Sequence, residues 1–249
     1  MTLIGIIGGS GLDNPDILHD ARDVEVSNSY GVPSAPLRHG TMAGRDVVLL
    51  ARHGREHTIP PTHVNYRANI KALKDAGCGC IIATTACGSL RQEIDRGHLI
   101  ILDQFIDFTR LRHVSFYETF APHDPRHTGM ADPFDAALRR HLIDACERLG
   151  IAHHKTGTVV TIEGSRFSTR AESNMFRMWG ADVINMSIAP ECILANEAGI
   201  PYASVAMSTD YDCWKTDEAP VSWDDIIEVF RSNVEMVTSL LTETIANLD

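Results

Sequence analysis

Asp210 and Asp212 stand two apart in STDYDCW (208–214), directly after an apolar run. In extended backbone that spacing aims both side chains to one side. Two carboxyl groups so placed can accept from an exocyclic amine while one, if protonated, donates to a ring nitrogen. That is the pattern of the N6 and N7 edge of adenine; the competing reading is an aspartate that caps the next turn. Arg52 and His53, in LARHGREHTIPPTHVNYRAN (50–69), form a second cluster with His57 and His63. A guanidinium fork beside a histidine donor suits an oxyanion. Two prolines interrupt the segment and no H-x-x-x-H helix is present, so these histidines are poor metal ligands.

Four further stretches offer polar groups at the ends of apolar runs. GIIGGSGL (5–12) has four glycines in eight positions and Ser10 among them. Glycine lets backbone N–H groups approach an anion, although a plain strand-to-loop turn is the other reading. The spacing is not G-x-G-x-x-G, and no Lys-Ser/Thr follows as a P-loop requires. TTACGSL (84–90) offers Thr85 and Ala86 as a second half of an anion nest, or again a simple turn. In TIEGSRFSTRAES (161–173), Phe167 and neighbouring hydroxyls suit a planar heterocycle, and Ser168 or Thr169 caps a short helix. NMSIAPE (185–191) ends a further apolar run with Met186 and Ser187.

These groups converge only if the elements that carry them share one edge of a sheet. Seven short apolar runs read as buried strands: 3–7, 46–51, 80–86, 99–106, 158–164, 182–187 and 202–210. Helical segments alternate with them, which predicts an α/β fold in three layers around a central sheet. Thr62 is a candidate cap for a helix that stops at Gly77, and Asp132 with Pro133 for one that stops at Gly150. Ser222 with Asp225 resembles a capping box before a last helix striped with Ile226, Phe230, Val234, Val237 and Leu241. Residues 107–131 are rich in His, Arg and aromatics without a period, as functional or interface loops are. No domain boundary interrupts the chain, so 1–249 reads as one domain.

Composition narrows the partners. With 22 Lys and Arg against 33 Asp and Glu, the formal charge is −11, which disfavours nucleic acid and anionic membrane surfaces. An anionic substrate then needs a local nest of Arg, His and N–H groups. No apolar stretch reaches a membrane span, and MTLIGIIGG lacks the basic start of a signal peptide, so a cytoplasmic location is expected. Six scattered cysteines without a C-x-x-C pair read as reduced, mostly buried thiols. Strand ends with a phosphate nest, an Arg-His pair, an aromatic and a purine-like acid pair suggest phosphorolysis of a purine nucleoside.

At this point the chain resembles the methylthioadenosine phosphorylases of the purine nucleoside phosphorylase superfamily. The resemblance spans nearly the whole sequence through GIIGGSGLD, LLARHGREHTIPPTHVNYRANI, TTACGSLRQEI, DQFID, TIEGSRFSTRAES, WGADVINMS and STDYDCW. It implies a mixed, partly closed sheet flanked by helices, a homotrimer, and no metal or organic cofactor, with inorganic phosphate as co-substrate. It assigns phosphate contacts to Ser10, Arg52, His53, Thr85, Ala86 and Ser187, where Ser10 and Ser187 keep the hydroxyl of a threonine common among relatives. Met186 would line the ribose, Phe167 the purine face, Asp210 N7 and Asp212 the N6 amine. His127, in the long loop, would reach a neighbouring subunit's site. Two departures stand out. Ser165 replaces the proline of E-G-P-R-F, which predicts a softer turn. Trp223, with Ile226 and Ile227 one turn on, takes a position where the 5′-alkylthio pocket has a small aliphatic residue.

The implied reaction is reversible conversion of S-methyl-5′-thioadenosine and phosphate to adenine and 5-methylthioribose 1-phosphate. A broader 6-aminopurine nucleoside range, or 6-oxopurine nucleosides, are the alternatives. The glycine stretch supplies its own test. S10A is expected to raise KM for phosphate by about tenfold and to leave KM for the nucleoside within about twofold. Steady-state kinetics with each substrate varied measures both, and a larger effect on the nucleoside would remove the loop from the phosphate site.

Overall fold

A computed structural model describes residues 2–9, 17–217 and 223–248, without the side chains of 223–228 and 230–232. Its strands are β1 (Leu3–Gly8), β2 (His19–Val24), β3 (Leu37–Met42), β4 (Arg45–Ala51), β5 (Cys78–Ser89) and β6 (Leu99–Ile101). They continue with β7 (Gln104–Asp107), β8 (His153–His154), β9 (Thr158–Thr161), β10 (Val183–Asn185) and β11 (Tyr202–Asp210). The helices are α1 (Tyr66–Asp75), α2 (Ala136–Leu149), α3 (Arg170–Met178), α4 (Ile188–Glu197) and α5 (Trp223–Ala246).

The strands form one mixed sheet in the order β2-β3-β4-β1-β5-β10-β9-β7, with β11 paired to β5 and β6, and β6 to β8. The sheet is mixed and helix-flanked as expected, and it is not closed: it forks at the 12-residue β5. β1 pairs β5 through Ala83, β11 runs parallel to it as far as Gly88, and β10 meets it antiparallel at Gly88 and Ser89. The edge of β5 beyond Ala83 is therefore free of β1, and a cavity opens there.

Apolar faces explain the layers. Tyr66, Ile70 and Leu73 of α1 and Ile188 and Leu194 of α4 bury against Ile7, Leu50, Ile81 and Ala83 on one side. Leu138 and Leu142 of α2 and Val237, Leu240 and Leu241 of α5 bury against Ile4, Ile6, Ile82 and Val205 on the other. Alternate strand residues serve opposite faces, so both sides of β1, β5 and β11 are apolar. All six cysteines are free thiols, five buried and Cys213 half-buried.

Several boundaries differ from the sequence expectation. The single run 99–106 divides into β6 and β7, and β9 stops at Thr161. Residues 84–88 lie inside a continuing strand rather than a turn. The helix assigned to Thr62 starts later, because the paired prolines and a 3-10 turn (Pro61–His63) precede it and the Asn65 side chain caps it through Ala68 N–H. Asp135, not Asp132, caps α2 by accepting from Ala137 and Leu138, while Gly150 closes the helix at φ 65° as expected. Thr169 caps α3 in a full capping box. Ser222 lies outside the described residues, as do the side chains of Asp225 and Phe230. Among the described residues no helix is long and apolar enough to cross a membrane.

Candidate active site

A cavity of about 420 Å³ occupies the fork. Its wall includes Arg52, His53, Thr85, Ala86, Phe167, Met186, Ser187, Asp210 and Asp212, so nine of the sequence candidates meet in one place. Ser10 lies outside the described residues, as do the side chains of Trp223, Ile226 and Ile227. His127 is not on the wall; it lies exposed in the long loop with its ring 5.7 Å from Phe120. His57 lines the cavity, whereas His63 is exposed and does not.

Strand register builds the anion end. Because β10 runs against β5, each residue past Ile184 steps back along β5, which returns Asn185 and Ser187 to Thr85. The hydroxyls of Thr85 and Ser187 lie 3.4 Å apart, and Asn185 Nδ2 donates to Thr85 Oγ1 at 3.4 Å. Ser187 precedes α4 without capping it through its side chain, and the positive end of that helix dipole lies at the cavity wall. Thr84 C=O points off the free edge of β5 to accept from Arg52 Nη1 at 2.9 Å. Alternate strand residues direct their backbone groups the same way, so Ala86 N–H faces this edge too.

Arg52 is fully buried, and its fork meets Glu191: Nε bonds Oε1, and Nη2 donates to Oε2 at 2.9 Å. Tyr202 Oη donates to the same Oε2 at 2.9 Å. Burial opposes the charge on Arg52, but the facing carboxylate outweighs it and raises the pKa. The guanidinium leaves no room beside Gly9, where a Cβ would stand 2.6 Å from Nη1. This is what Gly9 of GIIGGSGL supplies: backbone thin enough to pass over a fixed arginine. Glu191, inside NMSIAPE, is a site residue that the sequence pattern leaves unassigned. A carboxylate one turn into an apolar helix segment was the available signal, since such a charge needs a partner.

His53 behaves differently from the expected donor. Its Nδ1 lies 2.9 Å from Ile59 C=O, which can only accept, so Nδ1 carries the proton. Burial and then the nearby Arg52 charge lower its pKa to about 3. The ring is neutral, and Nε2 is an acceptor, suited to the P–OH of a hydrogen phosphate rather than to a bare oxyanion.

At the other end, β11 reaches Gly88 of β5 through a register shift between Ser208 and Asp210. The irregularity brings both Thr209 and Asp210 to the cavity, which a regular strand cannot do. Asp210 ends the strand, while Asp212 lies in a left-handed turn at φ 49°, so the pair converges through a turn and not through extended backbone. Asp210 Oδ1 accepts from Asp212 N–H at 2.7 Å, and Oδ2 from Thr209 Oγ1 at 2.8 Å. Burial pushes its pKa up to about 6 against those two hydrogen bonds. Ser168 Oγ lies 2.7 Å from each Asp212 oxygen. Gly88 is the floor here, since a Cβ would meet Asp210 Oδ1 at 2.9 Å. Phe167, 41% exposed, and Met186 flank the space between the two ends.

The long loop is anchored by charge. Arg112 is buried; its Nε donates to Glu163 at 2.9 Å, Nη1 to Met186 C=O at 2.5 Å and Nη2 to Ile162 C=O at 3.0 Å. Glu163 also accepts from the N–H groups of Arg110 and Leu111 and from Thr62. Burial alone would raise its pKa, but these donors hold it at about 2. Among the described residues no cluster of His, Cys, Asp and Glu could hold a metal ion.

An arginine-held anion nest and a buried acid pair facing each other across one cavity, on a forked mixed sheet, define a class of nucleoside-cleaving enzyme. The sequence pattern of the phosphorylase superfamily matches residues 3–246, and the chain belongs to that family. It is 54% identical over 248 residues to the S-methyl-5′-thioadenosine phosphorylase of Xenopus tropicalis, covering 98% of this chain and 88% of that one. The Drosophila melanogaster protein of the same name is 49% identical over 247 residues, covering 98% and 86%. Among solved structures, methylthioadenosine phosphorylase from Schistosoma mansoni in complex with adenine superposes with TM-score 0.93 at 41% identity, covering 99% of this chain and 91% of that one. A mutant of the Schistosoma mansoni adenosine/methylthioadenosine phosphorylase in complex with methylthioadenosine gives TM-score 0.90 at 40% identity over 99% and 91%.

Truncating Glu191 would strand a buried guanidinium. E191A is expected to lower unfolding free energy by about 3–5 kcal/mol. Urea denaturation measures it, and a loss under about 1 kcal/mol would show that Arg52 finds another partner.

Proposed function

We propose that this chain catalyses the reversible phosphorolysis of S-methyl-5′-thioadenosine, giving adenine and 5-methylthioribose 1-phosphate, a step of purine and methionine salvage. The observation that carries the reading is the polarity of the cavity. A cationic, hydroxyl-lined end at Arg52, Thr85 and Ser187 faces a protonatable Asp210 with Asp212 beside it. The relatives named for this reaction support the choice of nucleoside.

The mechanism follows from charge. Cleavage of the N-glycosidic bond leaves a cation-like ribose and an electron-rich base. Asp210 delivers a proton to N7, which makes the base a better leaving group. Its raised pKa keeps a useful protonated fraction close to neutrality. Asp212, acceptor on both oxygens, takes the N6 amine and selects a 6-amino base. Phosphate, fixed by Arg52, Thr85, Ala86 N–H and Ser187, stabilises the ribose cation and attacks C1′. Ser10 completes that site, and His53 accepts the P–OH. No metal or organic cofactor is required, because phosphate is the nucleophile and Asp210 the acid.

The active form is a homotrimer, in which His127 completes a neighbour's nucleoside site. Exposed Leu111, Tyr117, Phe120, Met178 and Trp179 fit such a subunit contact. The 5′-methylthio group lies against Trp223, Ile226 and Ile227, and the enzyme works in the cytoplasm.

Adenine release from S-methyl-5′-thioadenosine is expected only when phosphate is present. Release that ignores phosphate would make the enzyme a hydrolase, and none at all would leave a binding protein. Adenosine and 5′-deoxyadenosine as alternative substrates then report the breadth set by Trp223. D210N distinguishes the 6-oxopurine alternative: N7 and the 6-substituent share one edge of the base, so an amide at 210 can also donate to O6 where the ionised Asp210 carboxylate repels it, and a gain of activity on inosine is expected. Unchanged adenine selectivity would withdraw the role given to Asp210.

The same residue sets a pH dependence. Only the protonated carboxyl donates, so kcat/KM for the nucleoside is expected to fall as pH rises through about 6. D210N, whose amide donates at every pH, is expected to lose that limb in a pH–rate profile.

A further inference from the structure

The acid turn has a back face that base recognition leaves unused. Between the two aspartates, the Tyr211 side chain is buried and turned away from the cavity wall, and its hydroxyl donates to Asp95 Oδ1 at 2.8 Å. Lys215 Nζ stands 3.9 Å and the Arg96 guanidinium 5.5 Å from the ring centre, and Trp214 meets it edge-on at 6.0 Å. Asp95 lies in the loop before β6, which is hydrogen-bonded to β11, the strand that leads into the turn. Two residues beyond it Gly97 N–H donates to Ser208 C=O at 2.8 Å, and Ser208 N–H donates to His98 C=O at 3.0 Å. The Tyr211–Asp95 bond therefore closes a loop from β11, through residues 95–98, back to the centre of the acid turn.

The need for this bond shows in what the other bonds do. Asp212 holds a positive φ that residues with side chains rarely adopt unless their surroundings fix it. The hydrogen bonds from Asp212 N–H to Asp210, and between Ser168 and Asp212, orient the carboxyls within the turn and to the 161–169 segment. Thr209 has one hydroxyl proton for two acceptors, Asp210 Oδ2 at 2.8 Å and Cys87 C=O at 3.2 Å, so it cannot tie the acid to β5 continuously. Trp214 Nε1 donates to Ser89 C=O at 2.8 Å and ties the far end of the turn to β5, while the Tyr211 hydroxyl ties its centre, through residues 95–98, to β11.

We infer that Tyr211 and Asp95 are positioning residues for base recognition, holding the Asp210 carboxyl at the distance from N7 that proton donation needs. The inference rests on the nucleoside reading of the cavity. Its test is equilibrium binding of adenine, 7-deazaadenine (C–H in place of N7) and inorganic phosphate to the full chain. Wild type is expected to prefer adenine to 7-deazaadenine. Y211F keeps the buried ring and is expected to shrink that preference by about tenfold, with phosphate affinity unchanged. D95A is expected to match Y211F, the double variant to lose no more than either alone, and D95N, whose amide oxygen still accepts, to restore the preference.

A wild type that binds both bases equally would overturn the N7 role of Asp210 and the tether with it. A wild type that discriminates beside a Y211F that discriminates equally would overturn the tether alone. Loss of phosphate affinity in step with adenine would mean general loosening, and would also overturn it. If Y211F fails to fold, the contrast between D95A and D95N decides.

Discussion

The buried pairing of Arg52 with Glu191 is the interaction on which the site depends. A protein of formal charge −11 can hold a phosphate only by concentrating positive charge locally, and burying a guanidinium without a partner is prohibitive. Glu191 resolves this from the first turn of α4, braced by Tyr202 from the start of β11. The fork-to-fork geometry uses two sides of the guanidinium, and Thr84 C=O takes a third. What remains is a cation of fixed orientation whose field is reduced but directed, as preorganised electrostatic catalysis demands. Gly9 has no side chain because Arg52 occupies the space, directly beyond the paired ends of β1 and β4 at Gly8 and Ala51.

At the far end of the cavity the logic is reversed. Burial pushes the Asp210 carboxyl up to about 6, outweighing the hydrogen bonds from Thr209 and Asp212 and the charge of Arg96. The two ends thus separate a permanent positive charge from a transferable proton. In the proposed phosphorolysis negative charge develops on the base beside the transferable proton, and the phosphate held at Arg52 would meet the positive charge on the ribose. Glu163 makes the contrast instructive: next to Ile162 of the cavity wall, it is held at about 2 by Thr62, two N–H groups and Arg112, and serves as an anchor and not as an acid.

Much of this was legible from residue types at the ends of apolar runs. β11 was delimited to the residue, and Arg52, Thr85, Met186, Ser187, Asp210 and Asp212 all proved to share one cavity. What sequence pattern missed was long-range or polar. β2 carries His19, Asp20, Arg22 and Asp23 at a sheet edge, where no apolar alternation announces a strand. Glu191 was invisible as a partner because Arg52 lies 139 residues away. The donor assigned to His53 depended on a tautomer that only Ile59 C=O decides. The convergence of Asp210 and Asp212 was right in outcome and wrong in cause, since a bulge and a left-handed residue, not strand alternation, bring them together.

That bulge points to why β5 is 12 residues long. It carries Thr85, at the anion end, and Gly88, at the floor of the base end, on one continuous ladder shared with β11. Three steps of strand separate them by about 10 Å, room for a ribose between a base edge and a phosphate. Were the two ends on separate loops, their spacing would follow loop motion, and misplacement by an ångström costs orders of magnitude in rate. Placing both on one central strand, packed by helices on both faces, makes that distance a property of the backbone. The forked sheet is then more than a scaffold: in the proposed reaction the edge that β1 vacates is the one that would receive phosphate, while β11 stays paired along the other edge to carry the acid turn past it.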